Sequence, residues 1–143
     1  KAYALAGLRL GYAIGAPEVL EALRRASPPW SVNALAQAAG IAALQDTAYL
    51  AACLARIAQA YQGLWAGLQA RGLRPLPSTT HYCLVPVAQA ALCRRTLMRY
   101  GVQVRDCTSF GLPTYIRLAT RRPEENRRLL VALEETRAWC DAC

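Results

Sequence analysis

A switch of hydrophobic period near residue 75 decides most of the fold. Before it, Leu50, Leu54, Ile57, Tyr61, Leu64 and Leu68 recur at three- and four-residue steps. That spacing marks one face of an α-helix. Asp46 or Thr47 can cap its start, and Gly72 ends it. After Pro75 and Pro77 the pattern changes: His81 to Val87 reads as β, Ala88 to Tyr100 as a helix stopped by Gly101, and Val102 to Asp106 as β again. Thr114 to Thr120 predicts a further short strand. Pro123, Glu124 and Glu125 then open a last helix with Leu129, Leu130 and Leu133 on its apolar face. Helices and strands mixed in this order imply a small α+β unit.

Upstream, the apolar run Leu8 to Ile14, closed by Gly15-Ala16-Pro17, predicts a buried strand, a turn, and a helix to about Ala26. Strand, turn and helix are α/β grammar. Ser27-Pro28-Pro29-Trp30 breaks that helix, because consecutive prolines remove donors and force extended backbone. Ser31 or Asn33 can cap a second helix over residues 34–45.

Composition narrows the function classes. The 143 residues suffice for one compact domain with a core. No apolar stretch approaches the ~20 residues a bilayer crossing needs, so no membrane partner is expected. The opening KAYALAGLRLGYAIG is not a signal peptide and does not start with Met, so the expectation is a piece of a longer, cytoplasmic protein. The net charge is +8, yet the arginines are scattered, without the basic run interleaved with aromatics that nucleic-acid readers use. Nucleic acid is therefore not expected as a partner. Six irregularly spaced cysteines in mostly apolar segments read as reduced thiols. Cys140 and Cys143 have C-x-x-C spacing but no second pair, and His81, the single histidine, lies far off in sequence, so no metal site is expected. His81 reads as structural.

The chemistry concentrates at the beginning. Lys1 is the only lysine, and it precedes by eight residues Arg9, which stands in the run Gly7-Leu8-Arg9-Leu10-Gly11-Tyr12. This segment resembles the pyridoxal-lysine signature of class I and II aminotransferases. Pro29-Trp30-Ser31-Val32-Asn33-Ala34-Leu35-Ala36-Gln37 resembles threonine-phosphate decarboxylases of cobalamin synthesis and, less closely, histidinol-phosphate aminotransferases. Val104-Arg105-Asp106-Cys107, Tyr115-Ile116-Arg117-Leu118 and Arg122-Pro123-Glu124-Glu125-Asn126 resemble the close of the small domain in both groups.

The resemblance implies an α/β fold: the C-terminal part of a pyridoxal-phosphate-dependent transferase. Residues 1–30 would be a remnant of the large cofactor-binding domain, 31–45 a connecting helix, and 46–143 the small C-terminal α+β domain. It implies that Lys1 carries pyridoxal 5'-phosphate covalently and is the catalytic residue, with Arg9 holding the cofactor phosphate. Imine chemistry needs an amine with an accessible neutral form, and a phosphate dianion needs a bidentate cation. It further implies that Arg117, Arg105 and Asn33 contact a small phosphorylated amino acid or amine, and that the enzyme is a homodimer. Ring-stacking and pyridine-pairing residues of the family lie upstream of Lys1, so the fragment alone is expected to be inactive.

The subfamily likeness ranks decarboxylation of L-threonine O-3-phosphate to (R)-1-aminopropan-2-yl phosphate, a step of cobalamin biosynthesis, first. An aminotransferase acting on histidinol phosphate or a related amine is the alternative. A third reading is a non-catalytic, isolated small domain.

Overall fold

The computed structural model describes residues 3–136. The chain divides into two compact units, with the division between Cys53 and Leu54. In the first unit a single 3₁₀ turn, Ala6–Leu8, ends at Arg9 in the left-handed region (φ 54°). Helix α1 (Pro17–Ala26) follows, started by Pro17, whose missing N–H costs nothing at that position. Glu21 pairs with Arg24 and with Arg25 on its exposed surface, contacts worth little in water. Helix α2 (Ala34–Gln45) is capped by Asn33, whose Oδ1 accepts from Ala36 N–H at 2.8 Å. Of the two caps that the sequence offered, Asn33 is the one used.

Leu8 to Ile14 do not form the expected buried strand. After the 3₁₀ turn the backbone has no regular structure, and Leu10, Tyr12 and Ile14 are exposed, the last two at 87% and 88%. A strand needs a neighbour for its backbone donors and acceptors, and among the described residues none pairs with this segment. Leu10 instead reaches the backbone of α2, where a Cβ on Gly40 would lie 2.2 Å from its Cδ2.

Helix α3 (Thr47–Ala70) begins where Asp46 Oδ1 accepts from Tyr49 N–H at 2.9 Å. It ends at Gly72 (φ 78°), where Leu73 N–H returns to Leu68 C=O at 3.1 Å, a cap that requires the left-handed conformation glycine adopts without strain. No single helix among the described residues is long and apolar enough to cross a membrane.

In the second unit, β1 (Tyr82–Pro86), β2 (Arg105–Asp106) and β3 (Tyr115–Ala119) make an antiparallel sheet in the order β1-β3-β2. Helix α4 (Ala90–Arg99) links β1 to β2, and α5 (Pro123–Glu135) follows β3. β2 is shorter than the five residues the sequence suggested, because only Arg105 and Asp106 find ladder partners.

Side chains alternate across the sheet. Cys83, Val85, Ile116 and Leu118 point inward onto Leu64 and Leu68 of α3, Cys93 and Leu97 of α4, and Leu129, Leu130 and Leu133 of α5. Each fully buried Leu or Ile contributes about 1.5–3 kcal/mol of transfer free energy. The stripe on α3 is buried only in its second half: Leu54 and Ile57 remain exposed. Cys83, Cys93 and Cys107 are buried and Cys53 is partly buried, all four unbridged; Cys140 and Cys143 lie outside the described residues.

Candidate functional site

The outer face of the sheet carries the charged groups. Arg105 and Arg117 are direct cross-strand partners, and Leu84 stands opposite Arg117 on the other side. Two like charges facing each other across a ladder destabilise it. Neither guanidinium forms an ion pair among the described residues. Each meets an aromatic ring instead. The Arg117 Cζ lies 5.0 Å from the ring centroid of Tyr82, its diagonal neighbour on β1, and the Arg105 Cζ lies 5.0 Å from that of Phe110. Arg105 Nη2 also donates to Ser109 Oγ at 2.8 Å.

The loop between β2 and β3 engages the adjacent carboxylate. Asp106 Oδ1 accepts from Thr108 N–H at 2.8 Å and from Thr108 Oγ1–H at 2.6 Å. These bonds, the hydroxyl's first, hold the Asp106 carboxyl below the usual carboxylate range. A second 3₁₀ turn, Thr108–Phe110, closed by Gly111 at φ 75°, then carries Ser109 and Phe110 back beside Arg105. Cys107 is buried behind the arginines. Burial raises its thiol pKa, and the positive charges of Arg117 and Arg105 only partly oppose this.

A cleft of about 380 Å³ adjoins the pair, lined among others by Arg105, Arg117, Arg121, Arg128, Glu125 and Asn126. Glu125, its carboxyl lowered first by the hydrogen bond from Arg121, is bound to that side chain at 2.8 Å. Among the described residues, Arg105, Arg117 and Arg128 therefore present positive charge with no carboxylate bound to them. Asn126, only 5% exposed, holds the floor: its Oδ1 accepts from Arg121 N–H at 2.9 Å, and its Nδ2 donates to Thr120 Oγ1 at 3.0 Å and to Ala60 C=O at 3.3 Å. Such an arrangement suits a small anion with several acceptor oxygens.

In the first unit, Arg9 is exposed, and its Nη1 donates to Ala6 C=O at 3.0 Å, leaving most of its N–H edges open. Asn33 uses its Oδ1 for the α2 cap, and its Nδ2 remains a donor for other contacts. Lys1 lies outside the described residues. His81 is exposed and sits edge-on to Tyr82 at 5.3 Å between ring centroids. Among the described residues no three His, Cys, Asp or Glu side chains cluster as metal ligands. Sequence reasoning selected Arg105 and Arg117 but missed Tyr82, Phe110, Ser109 and Asn126. The strand register that makes Tyr82 a neighbour of Arg117 is not a local signal, and the 3₁₀ turn that returns Ser109 and Phe110 to Arg105 leaves no mark in the hydrophobic pattern.

Residues 1–133 match the family model for aminotransferase class I and II. The chain belongs to that family. Over 94% of its length it is 44% identical to a histidinol-phosphate aminotransferase of Symbiobacterium thermophilum, and over 99% it is 40% identical to histidinol-phosphate aminotransferase 2 of Ralstonia nicotianae. It spans only 37% and 39% of those relatives.

Among solved structures, it resembles histidinol-phosphate aminotransferase from Sinorhizobium meliloti in complex with pyridoxal-5'-phosphate (TM-score 0.82, 31% identity, 94% of this chain and 38% of that one). L-threonine-O-3-phosphate decarboxylase from Porphyromonas gingivalis gives TM-score 0.74 at 27% identity, covering 96% of this chain and 44% of that one. The α/β architecture is thus part of the fold of a pyridoxal-phosphate-dependent transferase. The order of the functional expectations is reversed by these relatives: the sequence ranked threonine-phosphate decarboxylase first, but that likeness is structural only, and the curated relatives named above are histidinol-phosphate aminotransferases.

Proposed function

We propose that this chain is the C-terminal portion of a pyridoxal-phosphate-dependent aminotransferase that takes histidinol phosphate or a closely similar phosphorylated amine. The arginine pair carries this reading: Arg105 and Arg117 stand directly opposite each other with no ion-pair partner among the described residues, and one phosphate ester can accept from both. Histidinol-phosphate aminotransferase relatives at 40–44% identity support the same substrate class.

Toward the cofactor, Arg9 fits a phosphate: it is exposed, and its one described side-chain hydrogen bond leaves guanidinium donors free. Lys1 would hold the cofactor through Nζ and, once released, move the proton at the substrate's amine-bearing carbon. When bound, pyridoxal phosphate supplies an electron sink for the pair left at that carbon. Arg117 and Arg105 fix the substrate's anionic end, which decides which bond at that carbon is exposed to reaction. Asn33 would add a neutral donor through Nδ2. In the whole protein, residues 1–30 would continue a large domain, 31–45 connect, and 46–143 form the small domain of a cytoplasmic homodimer.

Incubation of the whole protein with histidinol phosphate and 2-oxoglutarate is expected to yield glutamate. Carbon dioxide release from threonine phosphate, without glutamate formation from histidinol phosphate, would restore the decarboxylase reading.

A further inference from the structure

We propose that Tyr82 and Phe110 are positioning residues: their rings hold Arg117 and Arg105 in place of carboxylates, so that the pair stays ordered yet keeps most of its hydrogen-bond donors for an incoming anion. The inference rests on the reading of Arg105 and Arg117 as the substrate's anion clamp.

An exposed arginine can be fixed by an ion pair with a neighbouring Asp or Glu. Such a partner would occupy N–H donors and repel the very anion the site takes. At Arg117 the neighbouring positions are Leu84 and Arg105 across the ladder and Tyr82 on the diagonal, none of them acidic. At Arg105 the adjacent acid, Asp106, is committed to Thr108. Ring faces attract a guanidinium through the quadrupole without accepting its in-plane N–H bonds. Both arginines show the same arrangement at the same 5.0 Å, although Tyr82 comes from β1 and Phe110 from the 3₁₀ turn before β3.

Two unconnected elements meeting the same need argue that bracing serves the pair. Phe110 is 57% exposed, so its ring is not placed there by burial in a core. An ordered guanidinium also loses less conformational freedom on binding than a free one.

The test uses the whole protein loaded with pyridoxal phosphate, so that Arg9 is occupied, and inorganic phosphate at low ionic strength, followed by NMR at the arginine Nε–Hε groups, with thermal melts as a fold control. Y82L and F110L are expected to remove the ring-current shift of their own arginine and to weaken phosphate binding about threefold each. The double variant should lose about tenfold, while Y82F and F110Y, which keep a ring, retain wild-type affinity. R117A and R105A should reduce binding further.

If the arginine variants abolish binding while Y82L and F110L bind phosphate like wild type, the bracing role is overturned and the clamp stands. If R105A and R117A bind phosphate as wild type does, the clamp itself is wrong and the inference falls with it. Y82L failing to fold is covered by F110L, whose exposed ring can be removed without opening the core.

Discussion

Asn126→Ala isolates the joint on which the candidate site rests. Asn126 ties the end of β3 to the first turn of α5 and to α3 through three side-chain hydrogen bonds, to Arg121 N–H, Thr120 Oγ1 and Ala60 C=O, at 2.9, 3.0 and 3.3 Å. A net value near 1 kcal/mol per bond gives a loss of about 2–3 kcal/mol, since the Arg121 N–H and Thr120 hydroxyl can partly turn to water. For a unit of this size that is a fall in Tm of roughly 10–20 °C. Urea unfolding followed by circular dichroism should show a lower midpoint with an unchanged slope. Asn126→Asp should lose at least as much, because a carboxylate cannot donate to the Ala60 carbonyl. A loss below about 0.5 kcal/mol in Asn126→Ala, the range of ordinary surface changes, would refute the account of this residue as a structural hub.

Other variants test neighbouring parts of the argument. Gly67→Ala would place a Cβ 2.4 Å from Leu130 Cδ1, whereas Gly63→Ala, one turn earlier on α3, meets nothing within 4 Å. Gly63→Ala should therefore stabilise by up to ~1 kcal/mol through helix propensity, while Gly67→Ala loses about 1 kcal/mol net of that gain; denaturant midpoints compare them. Thr108→Ala removes the hydroxyl donor that contributes most to lowering the Asp106 pKa, so an NMR titration should show that pKa rising toward the ordinary carboxylate range. The sign follows from the depressed folded value: the contribution of Asp106 to stability is present above the unfolded pKa and is lost as pH falls through the folded one. The variant should flatten that acid limb. Replacing Lys1 in the whole protein should abolish the visible absorbance of bound pyridoxal phosphate, and Arg9→Ala should weaken cofactor retention, both read by spectrophotometric titration.

The elements visible in sequence are those whose signals are local. Pro17 and Pro123 at first turns, the Asn33 and Asp46 caps and the glycines after α3 and α4 each act within one turn, and they set helix ends that the structure reproduces. Leu8 to Ile14 misled because a strand is defined by its neighbour, and an apolar run alone does not supply one. The exposed Leu54 and Ile57 mislead for a related reason, since periodicity names a face without saying how much of it is covered.

Arg105 and Arg117 stood out through family likeness, but their juxtaposition depends on the antiparallel register of β2 and β3. A twelve-residue separation in sequence gives no hint of it. The ring beneath Arg117 was invisible for the same reason, since Tyr82 reaches it across strands, while Phe110 returns to Arg105 through a 3₁₀ turn that hydrophobic periodicity does not mark.

The central claim is that this family member binds a phosphorylated amine through Arg105 and Arg117. It is tested most directly by kcat/KM of the whole enzyme for histidinol phosphate and for unphosphorylated histidinol, in wild type and in Arg117→Ala and Arg105→Ala. Loss of a charge-assisted contact should lower the phosphorylated substrate's value by on the order of 10²-fold or more while leaving the histidinol value within a few-fold. Equal losses for the two substrates, or no loss for either, would contradict the account.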